Sequence, residues 1–438
     1  MAETKIGDHK TVYWWSFAIV IVSTWLPHLA TLLCLTLVHI TLSQLWAPLG
    51  SAAAVLVAIW LPWYRYIMSP LDEVRQMSGP PARPSTDMPP VFPNGWFRVA
   101  HSHQLKPKEV IEVSILGQKL SVFRGEGGDV FVLDAYCSHL GANMAVGGEV
   151  KGNCLICPFH SWTYDGSSGL CVDIPYLEDR HGIKVDTTSK IPVGAKVRRW
   201  HTLEQNGIIL IWFDAEGREP MWHPPVIDGV TTGQMVRQGT VIHHANAHIQ
   251  DINENGVDSA HFNSVHSFPL TVGAKTFGWL IKVVWSRMDW IPQTALGCTH
   301  RADSFVKYHV ELCGVDITGQ IQVKAQIIGP AIGQIIYNSH FGRVVILVST
   351  CPLEPLRQQA TFTVFTDRSI PSLIAKIVMW SFCVMFEQDV PIWNSKKYER
   401  RPKVVSGDGD IMAFRRWYKQ FYSENSATIQ SLRDNLEW

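Results

Sequence analysis

Residues 137–166 read CSHLGANMAVGGEVKGNCLICPFHSWTYDG, and this stretch decides the fold. It contains two half-motifs, CSH at 137–139 and CPFH at 157–160, which are separated by seventeen residues. Each half-motif combines one cysteine with one histidine. The stretch therefore offers two thiolates and two imidazoles, which are donor groups that hold metal ions in proteins.

Cys137, His139, Cys157 and His160 have the residue types that a Rieske [2Fe–2S] cluster needs, with two cysteines on one iron and two histidines on the other. Because neutral imidazoles replace two thiolates, such a cluster has a raised reduction potential, and it acts as a one-electron carrier. Structural zinc is the alternative for four ligands of this kind. Zinc knuckles usually show C-x2-C or H-x3-H halves, and the two mixed halves here fit that pattern poorly.

The chain has 438 residues, a formal net charge of zero and nine cysteines. This length predicts two soluble domains, or one domain with additional segments. The balanced charge gives no indication of nucleic acid as a partner, and none is expected. The cysteines are odd in number and lack the spacing of a disulfide framework, so we expect a reducing, cytosol-facing compartment for the soluble part.

Residues 11–64 form a run of 54 residues without Asp, Glu, Lys or Arg. One membrane-spanning helix needs about 20 apolar residues. We therefore predict a membrane anchor over 1–68, with helices near 13–40 and 46–64. Tryptophans near the proposed ends and basic residues on both flanks favour a hairpin with both ends in the cytosol. A signal peptide, which is too short for this run, and a buried hairpin are the alternatives.

The rest of the chain divides into three parts by composition. Residues 69–94 are rich in proline and predict a semi-rigid extended linker. Residues 95–214 contain short β-rich runs with Gly-containing turns, which predict a small all-β domain carrying the cluster on two loops. Residues 215–438 predict a catalytic domain in which one antiparallel sheet is packed by helices. The predicted fold class is α+β, preceded by membrane helices.

Individual elements follow from runs of β-branched and aromatic residues and from helical patterns. In the first domain the predicted strands are 110–115, 119–124, 130–134 and 208–213. In the second domain they are 276–284, 304–312, 319–328, 334–339, 344–352 and 360–367. The predicted helical segments are 243–266 and 372–389.

A second group of ligand-type side chains lies in ENGVDSAHFNSVH, residues 254–266. His261 and His266 are five residues apart, so they share no face of a regular helix and reach one metal only if the helix loosens or bulges between them. Asp258 and His261 do share a face, so the Asp258 carboxylate can accept a hydrogen bond from this histidine and fix its tautomer. Two histidines on a polar helix are more often solvated than bound to metal. With one carboxylate, however, they hold Fe(II) and leave positions open.

Over about residues 94–395 both motifs resemble the Rieske-type non-haem iron oxygenases. The resemblance implies a mononuclear Fe(II) held by His261, His266 and an aspartate near the C-terminus, and Asp389 in the stretch FEQDVPIW takes that position. Glu387 is the alternative ligand. Both carboxylates could instead cap a helix end, although negative charge near a helix C-terminus opposes the helix dipole.

The same resemblance implies a role for Asp258 in electron transfer between subunits. In the family, this aspartate bridges the mononuclear site of one subunit to a Rieske histidine of its neighbour, here His139 or His160, within a homotrimer. The family usually has three residues between the asparagine and the aspartate of this motif, and here only two separate Asn255 from Asp258. The expected role therefore rests on Asp258 and not on Asn255.

Within the family, the N-terminal hairpin, the proline-rich linker and the EQDxPIW stretch resemble the Neverland-type cholesterol 7-desaturases. This resemblance implies an oxidoreductase that uses O2 and NAD(P)H-derived electrons to convert cholesterol to 7-dehydrocholesterol for steroid-hormone synthesis. It also implies an enzyme in the endoplasmic reticulum membrane with its catalytic part facing the cytosol. Because no G-x-G-x-x-G fingerprint follows a strand, a separate reductase or ferredoxin-type donor is expected.

Two other functions remain as alternatives. A steroid hydroxylase of the same family would use the same ligands, because substrate placement decides between hydroxylation and desaturation. A membrane-anchored Rieske electron carrier resembles C-T-H-L-G-C and C-P-C-H, but Ala142 and Phe159 stand where its extra cysteines lie. The apolar residues 370–386 predict the wall of an apolar pocket, a bilayer contact or a core helix that carries Asp389.

Overall fold

The computed structural model describes residues 31–32, 71–75, 79, 84–85, 87–177, 191–270, 278–405 and 407–434. The predicted membrane helices near 13–40 and 46–64 lie outside the described residues, except for Thr31 and Leu32, which are helical. Among the described residues, no helix has both the length and the apolar character needed to cross a membrane.

The regular secondary structure of the described chain is mostly β-strand, in an α+β arrangement. The strands are β1 (Leu71–Arg75), β2 (Gly95–His101), β3 (Val110–Ile115), β4 (Gln118–Arg124), β5 (Val130–Asp134), β6 (Glu149–Lys151), β7 (Cys154–Ile156), β8 (Thr163–Asp165), β9 (Cys171–Asp173), β10 (Thr202–Gln205), β11 (Ile208–Phe213), β12 (Met235–Ala245), β13 (Ile281–Trp285), β14 (Asp289–Pro292), β15 (Arg301–Leu312), β16 (Val315–Asp316), β17 (Ile321–Ile328), β18 (Ile332–Ser339), β19 (Gly342–Glu354) and β20 (Arg357–Asp367). The α-helices are α1 (Ile249–Glu254), α2 (Ser259–Val265), α3 (Ser372–Ser395), α4 (Ile411–Tyr418) and α5 (Ile429–Asp434).

Three small antiparallel sheets form the first domain, with the strand orders β10-β11-β2, β3-β4-β5 and β6-β7-β8-β9. The β3–β4 hairpin shows how local sequence sets this structure. Its two-residue loop, Leu116 and Gly117, has positive φ at both positions (54° and 70°), as a type I′ turn requires. The short sheet β6–β9 follows the first half-motif, and its β7–β8 connection carries the second.

Ten strands form one large sheet in the second domain, in the order β1-β12-β20-β19-β18-β17-β15-β13, with β14 and β16 also paired to β15. All of its pairings are antiparallel except that of β1 with β12. Strand β20 is buried on both faces. Phe362 and Val364 point towards α3, whereas Phe365 packs with Trp96 and Trp212 of the first domain.

Helix α3 packs one face against the large sheet. Met379, Cys383, Phe386, Val390 and Trp393 repeat at helical spacing and are all buried in this core. Burial of a large apolar side chain stabilises a fold by about 1.5–3 kcal/mol, so this stripe holds the helix firmly. The prediction that residues 370–386 lie in a core helix is therefore confirmed for this face.

Several predicted elements agree with the structure and others do not. The strands predicted at 110–115, 130–134 and 208–213 have those bounds in the structure. The helix predicted over 243–266 is wrong in its first part, because residues up to Ala245 pair with β20 as the end of β12. The helix predicted to end at Asp389 continues to Ser395, and Pro391 lies inside it.

Strand β1 lies within the segment that the sequence predicts as a linker. It runs parallel to β12 over five pairs, from Leu71 opposite Gly239 to Arg75 opposite His243. Arg75 also donates a hydrogen bond from Nη1 to Glu387 Oε1 at 2.6 Å. This short strand therefore connects the start of the proline-rich segment to helix α3.

Candidate metal centres

The loops that begin at Cys137 and Cys157 are built on the same hydrogen-bond pattern. In each loop the main-chain N–H of the cysteine donates to the carbonyl of the residue five positions later in the chain. The carbonyl of the same cysteine accepts from the N–H of the residue four positions later, and all four distances are 2.8–3.0 Å. The residues four positions on, Gly141 and Ser161, both have left-handed backbone, with φ of 72° and 59°. That conformation is uncommon for a serine. The two half-motifs therefore present their cysteines in matching geometry.

The structure brings the four predicted cluster residues together on these two loops. Cys137 and Cys157 are buried side by side, and burial together with the neighbouring Cys137 raises the pKa of the Cys157 thiol. The His139 and His160 rings are 4.7 Å apart between centroids. The His139 ring stacks on Trp162 at 4.5 Å, and its Nδ1 is buried without a hydrogen-bond partner among the described residues.

Tyr164 contacts the cluster site in a way that the sequence did not predict. Its hydroxyl lies 3.1 Å from Cys137 Sγ and 2.9 Å from Ser138 Oγ. Because burial and the neighbouring Cys137 raise the pKa of Tyr164, the hydroxyl keeps its proton and can donate it to the sulfur. Its position after the second half-motif was visible in the sequence, but the contact depends on how β8 folds back.

His261, His266 and Asp389 come together in the second domain, where their ligand-type atoms all lie within 4.8 Å of one another. His266 Nε2 is 3.3 Å from Asp389 Oδ2. The expectation that helix α2 loosens or bulges between the two histidines is wrong. Instead the helix ends at Val265, and His266 is its C-cap with φ −103° and ψ 19°, so its side chain leaves the helical path.

The carboxylate of Asp258 caps helix α2, and the expectation that it sets the tautomer of His261 is wrong. Its Oδ1 accepts the N–H groups of Ala260 and His261 at 3.0 and 3.3 Å. His261 Nδ1 instead donates to the main-chain carbonyl of Asp258 at 2.6 Å, whereas the carboxylate Oδ2 is 3.9 Å away. The tautomer is still fixed with Nδ1 protonated, and burial lowers the pKa of His261, which favours the neutral ring that binds metals.

Glu387, the alternative ligand, points away from the two histidines. Its Oε1 accepts from Arg75 at 2.6 Å and lies 3.2 Å from His243 Nε2. Burial raises the pKa of Glu387, but His243 and Arg75 outweigh burial and hold the pKa below its usual value. The carboxylate that faces the histidines is that of Asp389.

Two family models match the chain. Residues 95–192 match the Rieske [2Fe-2S] domain, and residues 211–422 match the 3-ketosteroid 9α-hydroxylase C-terminal domain. The cholesterol 7-desaturase of Hemicentrotus pulcherrimus is 39% identical over 81% of this chain and 75% of its own length. The cholesterol 7-desaturase of Drosophila melanogaster is 37% identical over 80% of this chain and 80% of its own length. This chain belongs to the cholesterol 7-desaturase family of Rieske oxygenases.

More distant members of the Rieske oxygenases share the fold. The oxygenase component of a 3-ketosteroid 9α-monooxygenase of Rhodococcus rhodochrous is 27% identical over 80% of this chain and 85% of its own length. Dicamba monooxygenase bound to dicamba has a TM-score of 0.56 at 16% identity, covering 75% of this chain and 96% of that one. NdmA of Pseudomonas putida CBB5 with caffeine has a TM-score of 0.54 at 19% identity, covering 74% and 89%.

Membership of the desaturase family confirms the predicted enzyme class and cofactors. They are a [2Fe–2S] cluster, a mononuclear iron and O2, with electrons from a separate reductase. The residues present fit both groups. The unpartnered His139 Nδ1 is an atom that a cluster iron would take, and two imidazoles with one carboxylate suit Fe(II). The zinc and electron-carrier alternatives are wrong.

The predicted iron residues of this desaturase-family chain line a cavity of about 220 Å³. Most of its walls are apolar, including Phe262, Trp285, Val323, Ile335, Phe362 and Phe386. Ser304 is an exception, because its Oγ is buried on this wall and has no hydrogen-bond partner in the part of the chain that the structure describes. The cavity therefore suits an apolar molecule with few polar groups.

Proposed function

We propose that this chain catalyses the 7-desaturation of cholesterol to 7-dehydrocholesterol. The observation that carries the proposal is the convergence of His261, His266 and Asp389 on the wall of an apolar cavity, in a chain whose relatives are named cholesterol 7-desaturases. The reaction removes one hydrogen each from C7 and C8 of the sterol. These two hydrogens, two electrons from NAD(P)H and two protons reduce O2 to two molecules of water, so the reaction balances.

The ligands follow from the donor groups in each site. For the cluster we propose Cys137 and Cys157 on one iron and His139 and His160 on the other. For the mononuclear iron we propose His261 and His266 through Nε2, together with Asp389. When bound, this iron would supply the O2 activation that breaks a C–H bond of the sterol. The protein positions the sterol, and the burial that lowers the pKa of His261 favours its neutral ring.

The walls of the cavity support a sterol as the substrate. Fused carbon rings fit the apolar walls, and the single sterol hydroxyl could pair with a group such as Ser304 Oγ. A volume of about 220 Å³ is below the about 300–1,000 Å³ of most ligand pockets. We therefore propose that the reacting rings are enclosed, while the rest of the molecule extends beyond these walls.

Electron transfer between subunits of a homotrimer is part of the proposal. Asp258 uses Oδ1 as the helix cap, and its Oδ2 makes no hydrogen bond to any described residue. That oxygen can therefore accept from His139 or His160 of a neighbouring chain. Leu140 and Phe159 are 66% and 62% exposed beside these histidines, which supports burial of the two loops against a second copy.

We also propose that the enzyme is anchored in the endoplasmic reticulum membrane with its catalytic part in the cytosol. The support is the 54-residue run without charged side chains that precedes the proline-rich segment. A sterol dissolves in the bilayer, so an anchored enzyme meets its substrate at the membrane surface. The reducing cytosol also suits the cysteine ligands.

The test is a product analysis with the full chain. Membranes that contain the protein are incubated with cholesterol, NADPH and a reductase, and the sterol product is identified by mass. We expect a product lighter by two hydrogens, and Asp389→Ala should abolish it. A product heavier by one oxygen would instead establish a steroid hydroxylase, the function that the match of residues 211–422 to a 9α-hydroxylase domain favours as second candidate.

A further inference from the structure

Gln388 is held in one orientation by hydrogen bonds from its side-chain amide. Its Nε2 donates to the main-chain carbonyls of Phe268 at 3.0 Å and Leu270 at 2.8 Å, which uses both amide hydrogens. The reversed amide would place its oxygen against these two carbonyl oxygens and would lose both bonds. The oxygen Oε1 must therefore face the other side.

On that side Gln388 Oε1 lies 2.8 Å from His266 Nδ1. Because a carboxamide oxygen can only accept, His266 carries its proton on Nδ1. Its Nε2 therefore keeps a free lone pair, and this atom lies 3.3 Å from Asp389 Oδ2. His266 is only 3% exposed, so water has little access to replace this acceptor.

We propose that Gln388 is a positioning residue of the mononuclear iron site, an inference that rests on the iron site of the proposed function. Its amide fixes the tautomer and the ring orientation of His266, which lies 122 residues earlier in the chain. The neighbouring Asp389 supplies a ligand from the same helix. One turn of α3 therefore provides one ligand and orients another.

Loss of the acceptor should weaken metal binding before it affects anything else. The Nδ1–H of His266 would be left without a partner, and the ring could turn about its bond to the main chain. Mutation of the residue that hydrogen-bonds to a metal-binding histidine typically lowers metal affinity by about 10–100-fold. We expect a loss in this range without loss of the Rieske cluster, because Gln388 lies in the other domain.

Three variants of the full chain separate this role from a structural one. Gln388→Met keeps the volume and removes every hydrogen bond, whereas Gln388→Glu keeps an acceptor for His266 and loses both donors. Gln358→Met is the matched control. Gln358 is also buried, donates from Nε2 to the carbonyls of Ala247 at 3.0 Å and Pro355 at 3.5 Å, and its Oε1 has no partner among the described residues.

The measurement is Co(II) binding to the mononuclear site after removal of its iron, with the absorption of the cluster as a check of folding. We expect Gln388→Met to raise the Co(II) dissociation constant by about 10–100-fold and to change the ligand-field spectrum at saturation. Gln388→Glu keeps the acceptor but places an oxygen near the carbonyls of Phe268 and Leu270, so it should lose clearly less affinity than Gln388→Met without matching the original chain. Gln358→Met should leave the constant and the spectrum unchanged.

An unchanged dissociation constant in Gln388→Met would overturn the inference. Equal losses in Gln388→Met and Gln388→Glu would also overturn it, because the effect would then come from the contacts with residues 268 and 270. A failure of the proposed function would look different, since the original chain itself would then bind no Co(II) at this site or give no desaturated sterol.

Discussion

Removal of the Tyr164 hydroxyl should lower the reduction potential of the cluster. In Tyr164→Phe the 3.1 Å contact with Cys137 Sγ is lost, and the ring is fully buried, so no water takes its place. A donor to a cluster sulfur draws charge away from it and favours the reduced, more negative cluster. Without this donor, reduction becomes less favourable.

The size of the effect follows from the strength of one such bond. A hydrogen bond to a charged group contributes about 1.5–3 kcal/mol, and only the difference between the two redox states changes the potential. If that difference is about half of the bond, it is about 0.75–1.5 kcal/mol, which is about 30–65 mV for a one-electron couple. We therefore expect the potential to fall by about 30–65 mV.

The assay is a redox titration of the purified full chain, followed by electron paramagnetic resonance of the reduced cluster. Tyr176→Phe is the control, because the Tyr176 hydroxyl accepts from Trp162 Nε1 at 2.6 Å and is half exposed. It should shift the potential by less than about 15 mV. An unchanged potential in Tyr164→Phe, or an equal fall in the control, would refute the argument.

The remaining predictions concern iron, electron transfer, substrate and acid stability. Asp389→Ala should reduce the iron content from about three to about two atoms per chain by metal analysis, with the cluster spectrum unchanged. Asp258→Asn should retain all iron, because asparagine also caps helices, and should stop turnover in the product assay. Ser304→Ala should lower kcat/KM for cholesterol by about 3–10-fold through the loss of one hydrogen bond. Burial and then Arg98 lower the pKa of His101 to about 3. Below pH 6.5 the unfolded chain binds a proton at His101 that the folded chain does not bind, so the free energy of unfolding decreases as the pH falls towards 3. Urea unfolding of His101→Gln should show a decrease between pH 7 and pH 5 that is smaller by about 2 kcal/mol.

Each of these variants has a control or a contradicting result. Glu387→Gln is the control for Asp389→Ala and should keep the third iron. If Glu387→Gln also lost this iron, the loss in Asp389→Ala would reflect disturbed folding and not the loss of a ligand. Full turnover of Asp258→Asn would remove this residue from the electron path. The Ser304→Ala effect should vanish with a sterol that lacks the hydroxyl, and an equal effect on both sterols would contradict the pairing. An unchanged pH dependence in His101→Gln would show that other groups cause the acid sensitivity.

Local sequence patterns predicted those elements whose stabilising contacts are visible along the chain. The run at 130–134 is β-branched and aromatic, and it is a strand in the structure. Strand β12 contains Gln238, Gly239 and two histidines, so its composition resembles a loop. It is a strand because β20, more than a hundred residues later, pairs along its whole length. Such long-range pairing overrides local propensity and is not visible in one sequence.

The candidate iron site shows the same division. Residue types, their spacing and the family resemblance indicated His261, His266 and Asp389 from the sequence alone. The hydrogen-bond partners of the histidine Nδ1 atoms could not be predicted. The Asp258 carboxylate could either accept from His261 Nδ1 or cap helix α2, and in the structure it caps the helix. Likewise the contact between Gln388 and His266 joins two distant segments. The metal-binding residues can therefore be predicted from residue type and spacing, whereas the residues that hydrogen-bond to them depend on the folded structure.

The parallel strand β1 has a practical consequence for the production of an N-terminally shortened enzyme. Arg75 ends this strand and pairs with Glu387, whose side chain is 14% exposed and lies two residues from Asp389. Removal of one partner from a buried ion pair can cost about 3–5 kcal/mol, and this partly exposed pair would cost less. A truncation that starts at the first Rieske strand would leave Glu387 and His243 without that cation. Expression designs should therefore begin at or before Leu71, even though sequence patterns place the start of the folded domain at Gly95.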